Sequence, residues 1–292
     1  MTSAVKTLVK NSGNKKLYLF FDEIQELDGW EKLINSYLID FNCDIYITGS
    51  NAKLLSGELA TYLAGRYVEI KMYPFSFAES FEALKLLNPK ISQKAAFDVY
   101  VNTGGYPFLY NFDFSESQKK QYLDDIFNSI ILKDICNRYK IRDVALLKSL
   151  ITFFISNIAN TFSSSSLIKY LKNEKRSLTD HGIRQSLFMK NQKDINQVLE
   201  NIVYIELLRR GYSVTVGRAK SQEIDFCAQN ENGIEYFQVC YLLATEETVQ
   251  REFGAYDFVK DNYPKYVLSL DDFDFSRDGI IHRNIIDWLL EE

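Results

Sequence analysis

The sequence is short of the residues on which several common site chemistries depend. Only four cysteines and two histidines occur in 292 residues, and no C-x-x-C pair is present. The cysteines also have no histidines at zinc-ligand spacing, so neither a zinc site nor a disulfide framework is indicated, and we expect a reducing cytoplasmic environment. Neither His181 nor His282 lies near a serine or cysteine nucleophile motif. The sequence therefore does not support triad hydrolase chemistry, and we expect both histidines to be structural or surface residues.

Long apolar runs and an excess of positive charge are missing as well. The most apolar stretch, ALLKSLITFFISNIA, is interrupted by lysine and polar residues, and the N-terminus lacks the apolar core of a secretion signal. The net charge of −5 argues against bulk electrostatic binding of nucleic acid, although the local basic run LIKYLKNEKRS keeps a basic face open as an alternative to a solvated helix face. We expect a protein with no membrane partner.

Two adjacent carboxylates follow the first predicted strand. The run Leu17–Phe21 is short, aromatic and continuously apolar, as is typical of a central parallel strand covered on both faces. Asp22 and Glu23 come directly after it, at the rim where open α/β sheets bind ligands. The alternative is that these acids start a turn, with Asp28 capping the next helix.

A second predicted strand brings polar residues to the same rim. Apolar residues recur at helical spacing from Trp30 to Phe41, which predicts an amphipathic helix after the acids. The strand Ile45–Ile47 then ends in Thr48-Gly49-Ser50-Asn51. We therefore expect the two strands to be neighbours that deliver polar groups to one edge of a sheet.

These motifs resemble those of the prokaryotic AAA-type P-loop ATPases that carry a C-terminal domain of unknown function. The resemblance rests on LYLFFDEIQEL, on IYITGSNAKLLSGELATYLAGRYVEIKMYPFSFAE and, further along, on QEIDFCAQ and EYFQVCYLL. It covers nearly the whole chain and depends on several motifs in order. It implies an ATPase with ATP and magnesium as cofactors.

The resemblance also implies roles for individual residues. The strand that ends in Asp-Glu is similar to a Walker B element, so Asp22 would be the magnesium-side acid and Glu23 the residue that polarises the attacking water. Ser50 or Asn51 would be the polar sensor near the γ-phosphate. Arg66 would contact phosphate, or it would instead close the helix that begins near Asn51, because cations are stabilised at helix C-termini.

The glycine-rich loop that cradles nucleotide phosphates is absent from these residues. Its pattern, G-x-x-x-x-G-K-[ST], does not occur in the sequence. Only sixteen residues precede Leu17, which is too few for a further strand, loop and helix. We therefore interpret the chain as beginning within an ATPase domain, and we expect these 292 residues alone to bind neither ATP nor another cofactor.

The middle of the chain predicts helices. Gly104-Gly105-Tyr106-Pro107 indicates a helix stop followed by a new start, and the resemblance places this motif in a lid after the ATPase core. The helices predicted in SQKKQYLDDIFNSIILKDICNRYKI, DVALLKSLITFFISNIA and SSSSLIKYLKNEK resemble the first part of a winged helix, a DNA-binding architecture. After Arg176 the sequence passes directly to SLTDHGIRQSLF, so we expect no further helix and β-hairpin wing, which weakens the prediction of DNA recognition by this segment.

The C-terminal third predicts a helix that ends at Gly211, three strands and a covering helix, EETVQREFGAYDFVK. This order resembles restriction-endonuclease-like nucleases, in which carboxylates hold a divalent metal and a lysine helps to activate water. The resemblance places Glu206 or Glu200 on the helix, Asp225 at the end of the second strand, and Gln238 in the acid position of the acid-x-Lys motif.

The nuclease motif is altered at its key groups. Gln238 replaces the acid and Cys240 replaces the lysine, so we expect no metal-dependent cleavage. In the structural interpretation, Asp225 and Glu223 instead satisfy main-chain groups or bind Arg209 and Arg210.

Together these observations predict an α/β chain in three parts. Residues 1–80 form the C-terminal part of an AAA-type core with the Walker B and sensor strands, residues 81–180 form a helical lid and a partial winged-helix region, and residues 181–292 form a restriction-endonuclease-like α/β domain. The resemblance implies an ATP-binding ATPase. The alternative is a non-catalytic module on a decayed nuclease fold, with DNA or a protein as its partner.

Overall fold

The computed structural model describes residues 5, 7, 15–24, 27–49, 66–111, 114–130, 135–136, 140–144, 147–148, 151, 195–219 and 222–291. The chain forms two compact units, Met1–Lys71 and Met72–Glu292. The α/β class predicted from the sequence is confirmed, because the chain contains helices together with a parallel strand pair and a mixed sheet.

The described part of the first unit contains a parallel strand pair. β1 (Leu17–Phe21) lies beside β2 (Cys43–Ile47), and α1 (Trp30–Asp40) connects them. The residues that pack between α1 and the strands are almost fully buried: Leu19, Trp30, Ile34 and Tyr37. This arrangement confirms the prediction of two neighbouring strands joined by a helix.

The opposite face of the strand pair carries exposed aromatic side chains. Phe20 is 73% exposed, and its ring stacks on that of Tyr46 with the centroids 4.8 Å apart. Tyr18 is exposed on the same face. The expectation that β1 is covered on both faces is therefore not met by the residues that the structure describes.

The second unit opens with three α-helices and a short 3₁₀-helix: α2 (Phe77–Leu87), α3 (Gln93–Thr103), the 3₁₀-helix Pro107–Tyr110 and α4 (Glu116–Ser129). Serine side chains cap all three α-helices at their N-termini, as this residue type favours. α3 stops at Gly104, whose φ of 81° lies in the left-handed region, and the chain restarts at Pro107. The predicted stop and restart is confirmed.

A five-stranded mixed sheet lies in the C-terminal part of the second unit. α5 (Ile195–Arg209) leads into β3 (Ser213–Ala219), β4 (Gln222–Asn230) and β5 (Gly233–Val239), which are antiparallel neighbours. α6 (Glu246–Gly254) then leads to β6 (Lys265–Ser269) and β7 (Ile280–Asn284), which extend the sheet as parallel strands. The helix α7 (Ile285–Leu290) follows β7 directly. The predicted order of one helix, three strands and one helix is confirmed.

Helices from both halves of the second unit share one hydrophobic core with this sheet. α2 and α3 pack with α5, α7 and one sheet face, and α6 covers the other face. Aromatic and aliphatic side chains dominate the shared core, among them Phe77, Phe97, Leu199, Phe226, Phe237 and Trp288. The helices that we assigned to a lid thus bury their apolar faces against the C-terminal sheet. The three-part domain division itself stays a prediction, and the predicted partial winged-helix region lies largely outside the described residues.

Among the helices that the structure describes, none combines the length and the hydropathy that a membrane span requires.

Candidate functional site

The first candidate site is the turn that follows β1. The strand ends at Phe21, and the chain then passes through Asp22 and Glu23 at the carboxyl end of the parallel pair. Glu23 has a φ of 48°, in the left-handed region that residues other than glycine seldom adopt. Both acidic residues are exposed. The acids therefore face outward from a sharply turned backbone rather than from a regular strand.

Thr48 joins this turn to the end of β2. Its main-chain N–H donates to the Phe21 carbonyl oxygen at 2.9 Å, and its side-chain hydroxyl donates to Asp22 Oδ1. The Glu23 N–H in turn points to Thr48 Oγ1 at 3.4 Å. The structure thus brings polar groups from both strands together at one edge. The sequence indicated Thr48 only as one of four small polar residues after the second strand, and its hydrogen bond to Asp22 was not predicted.

The other residues predicted for this site have different outcomes. Ser50 and Asn51 lie outside the described residues. Arg66 is exposed, and its Nη1 donates to Asn35 Oδ1 on α1 at 2.9 Å. The contact that the structure gives Arg66 is therefore with α1, and its predicted phosphate contact stays a prediction.

The oxygen atoms at this turn suit magnesium that arrives with phosphate. Mg²⁺ is commonly held by one or two carboxylates together with water and substrate phosphates rather than by a complete protein cage. Asp22 and Glu23 offer exposed carboxylates of this kind. No group of three or more histidine, cysteine, aspartate or glutamate residues in the described part of the chain could hold a metal ion. The turn therefore fits a shared Mg²⁺-phosphate ligand and does not form a metal centre of its own.

The second candidate site is the predicted nuclease remnant on β4 and β5. The Asp225 N–H donates to Gln238 Oε1 at 3.1 Å, and Asp225 Oδ2 accepts from the Val239 N–H at 2.9 Å. Asp225 lies inside β4, which continues to Asn230, so its predicted place at the end of that strand is wrong. Both polar side chains bind main-chain groups of the neighbouring strand.

Glu206 on α5 forms ion pairs with two arginines. Its side chain accepts from Arg210 Nε at 2.9 Å and lies 3.7 Å from Arg209 Nη1. Arg210 also donates to the Trp288 carbonyl oxygen at 2.8 Å and stacks on the Trp288 ring, which ties α5 to α7. Arg209 and Arg210 thus bind Glu206, which the structural interpretation had not assigned to them.

These carboxylates do not fit the divalent metal of a nuclease. Asp225 binds the main chain, Glu206 binds arginines, and Gln238 offers only a neutral amide. Glu200 lies on the same helix as Glu206 and is partly buried. Because these side chains do not belong to any described group of three or more residues that could hold a metal ion, we derive no metal chemistry for this site.

A buried hydrogen-bond chain in the sheet also contains the residue types of a hydrolytic triad. His282 Nε2 lies 2.8 Å from Ser269 Oγ, and Ser269 Oγ donates to Asp271 Oδ2 at 2.8 Å. The Phe275 N–H donates to His282 Nδ1 at 3.3 Å, so Nε2 carries the ring proton and donates to the serine.

The direction of proton donation in this hydrogen-bond network is the reverse of that in a catalytic triad. A catalytic histidine accepts the serine proton, whereas His282 donates to Ser269 and the serine donates to Asp271. Ser269 is fully buried, and burial lowers the pKa of His282, which favours the neutral ring. The prediction that His282 is structural agrees with this geometry, while His181 lies outside the described residues.

Comparisons with known proteins match the N-terminal part of the chain to a family and most of the chain to two relatives. A family model described as AAA domain matches residues 2–81. An uncharacterized protein of Haemophilus influenzae is 37% identical over 321 aligned residues, which cover 96% of this chain and 79% of that protein. Uncharacterized protein MJ1544 of Methanocaldococcus jannaschii is 30% identical over 322 residues, which cover 92% of this chain and 71% of that protein.

No solved structure matches the chain. Both alignments are longer than the 292-residue chain, so each relative contains residues within the matched region that have no counterpart here. The similarity extends through both units, and the AAA-domain match falls on the strand pair that carries Asp22 and Glu23. The chain belongs to the same family as these two relatives, and its N-terminal part matches an AAA domain.

Proposed function

We propose that the first unit supplies the acidic half of an AAA-type ATP-hydrolysis site. In this proposal Asp22 faces the magnesium of Mg²⁺-ATP, and Glu23 polarises the water that attacks the γ-phosphate. The observation that carries the proposal is the hydrogen bond from Thr48 to Asp22. It orients an acid at the carboxyl end of two parallel strands, where α/β sheets bind ligands, and the AAA-domain match supports the assignment.

Each residue of the turn has a distinct part in the proposed chemistry. Bound Mg²⁺ neutralises negative charge on the phosphates. Asp22 keeps carboxylate lone pairs for the ion while its Oδ1 accepts from Thr48, and the exposed Glu23 carboxylate accepts a hydrogen bond from water. Ser50 or Asn51 would sense the γ-phosphate. Arg66 would leave Asn35 to contact phosphate.

A second function is favoured for the C-terminal sheet by the contacts of Asp225 and Gln238. We propose that this sheet keeps a restriction-endonuclease-like fold as a binding module for nucleic acid or protein and carries out no cleavage. The order of α5, three antiparallel strands, α6 and a parallel strand supports this fold. The loss of chemistry is supported by the use of both polar side chains on main-chain groups.

Calorimetry with Mg²⁺-ATP tests the first proposal. Loop amides and the lysine of the glycine-rich loop supply most of the hold on phosphates, so the 292-residue polypeptide should give no micromolar binding. A fusion that places a strand, a G-x-x-x-x-G-K-[ST] loop and a helix upstream of β1 should bind, and Asp22→Ala should weaken that binding.

Asp44→Ala is the matched control for this measurement. Asp44 lies on β2 and pairs with Lys16 at 2.9 Å, away from the Asp22 turn, so its removal should leave nucleotide binding unchanged. Equal affinity of the Asp22→Ala fusion and the unsubstituted fusion would contradict the proposed site. Micromolar binding to the 292-residue polypeptide alone, lost in Asp22→Ala, would contradict the assigned role of the loop.

A further inference from the structure

We infer that Thr48 is a positioning residue that orients Asp22 and holds the main chain at Glu23 through its side-chain hydroxyl. The inference rests on the proposed function of the two acids, because orientation matters only where the acids meet a ligand. Thr48 would act through the two acidic residues and would not itself contact the nucleotide.

The hydroxyl of Thr48 lies between the two acidic residues and contacts both. Thr48 Oγ1 donates its one proton to Asp22 Oδ1, and it accepts from the Glu23 N–H at 3.4 Å. A hydroxyl can serve one acceptor and one donor in this way, whereas valine in the same place can serve neither. The side chain of Asp22 and the main chain of Glu23 are therefore linked through a single atom.

The main chain at Glu23 needs such support. A φ of 48° is unfavourable for a glutamate and persists only when surrounding contacts hold it. The Ile24 N–H, which follows, donates to the Thr48 carbonyl oxygen at 3.4 Å. Thr48 thus contacts the strained turn on both sides of Glu23, and this turn sets the direction in which the Glu23 side chain leaves the backbone.

Main-chain and side-chain roles of Thr48 can be separated. The bonds from the Thr48 N–H to Phe21 and from the Ile24 N–H to the Thr48 carbonyl already join the strand ends. Neither bond needs the hydroxyl. If Thr48 only ended β2, its side chain would be dispensable for Asp22, so replacing the hydroxyl while keeping the β-branched shape distinguishes the two roles.

Nuclear magnetic resonance of the 292-residue protein with labelled aspartate tests the inference without nucleotide. In the unsubstituted protein the couplings of Asp22 should report one side-chain rotamer. Thr48→Val should average these couplings over several rotamers and speed exchange of the Glu23 amide about fivefold, the effect of losing one ordinary hydrogen bond. Thr48→Ser keeps the hydroxyl and should restore both readings.

Ser36→Ala is the matched control, because the Ser36 hydroxyl donates to Asp40 Oδ2 at 2.8 Å on α1, in the same unit. It should leave the Asp22 couplings unchanged. A single Asp22 rotamer in Thr48→Val, or averaged couplings in the unsubstituted protein, would overturn the inference. Either result leaves the calorimetric test of Asp22 standing, whereas unchanged nucleotide binding in Asp22→Ala removes the proposed function without altering the rotamer measurement.

Discussion

Asp225 and Gln238 bind across β4 and β5 in opposite directions, because the Asp225 N–H donates to the Gln238 side chain and the Asp225 side chain accepts from the Val239 N–H. Each contact satisfies a main-chain group that would otherwise cost free energy when partly buried. The pair therefore stabilises the sheet at the position where the nuclease resemblance places catalytic carboxylates. This relationship is the structural reason for expecting no cleavage.

Incubation with single- and double-stranded DNA and Mg²⁺ or Mn²⁺ should give no cleavage products. Metal-dependent cleavage needs several oxygen ligands around the ion, and Gln238 contributes at most one neutral carbonyl. Gel analysis of the DNA measures the outcome. Cleavage that Asp225→Ala abolishes would refute the prediction, whereas a shift of uncut DNA would favour the binding module.

Gly105→Ala should destabilise the second unit by about 2 kcal/mol, in the range of overpacked positions. The Phe75 N–H donates to the Gly105 carbonyl at 2.7 Å, so the two main chains lie close together. An added Cβ would meet the Phe75 carbonyl oxygen far inside van der Waals contact, and Phe75 N and Pro74 Cβ at 3.0 Å. Urea unfolding measures the change.

Gly254→Ala is the control for this substitution, because its added Cβ would have ordinary contact with Asp257 Oδ2 at 3.7 Å. It should change the free energy of unfolding by less than about 0.5 kcal/mol, as is usual where no special contact is disturbed. Equal effects of the two substitutions would show that the close approach at Phe75 is not the cause.

The stability of the second unit should fall as the pH drops below the ordinary pKa of histidine, about 6.5. Burial lowers the pKa of His282 in the folded protein, although Asp271 and Asp274 oppose this effect. Below the ordinary value the unfolded chain therefore binds a proton more readily than the folded chain, and the loss continues until the pH reaches the lowered folded pKa. Above both pKa values this histidine contributes no pH dependence.

Unfolding in urea at several pH values between about 7.5 and about 5 measures this slope, in the range where histidine titrates. His282→Gln should be less stable at neutral pH because it loses the hydrogen bonds of the ring with Ser269 and Phe275. Its free energy of unfolding should also fall less steeply as the pH is lowered. A decline as steep as that of the unsubstituted protein would assign the effect to other groups.

The arrangement of β1, α1 and β2 was predictable because each element has a local signal. A continuous apolar run indicates a strand, and apolar spacing of three and four residues indicates a helix. The glycines at 104 and 105 likewise marked the end of α3 by their conformational preference. These signals lie within short stretches of sequence and need no knowledge of tertiary contacts.

The role of Thr48 was not predictable, because it depends on strand register. Phe21 pairs with Ile47, which brings the residues that follow them, Asp22 and Thr48, side by side. No local pattern sets that register. Asp225 was wrongly placed at the end of β4 for a related reason. β4 extends to Asn230 because it pairs with strands on both sides, and a short sequence motif does not reveal a strand length that depends on pairing.

Single-turnover ATP hydrolysis tests most directly the proposed role of Glu23 in polarising the attacking water. In the fusion that supplies the phosphate-binding loop, Glu23→Gln should keep Mg²⁺-ATP bound while slowing hydrolysis by about a hundredfold or more, the typical contribution of a positioned proton acceptor. Glu31→Gln, in the first turn of α1, is the matched control and should hydrolyse ATP at the unsubstituted rate. Hydrolysis by Glu23→Gln at the unsubstituted rate, with ATP still bound, would contradict the account.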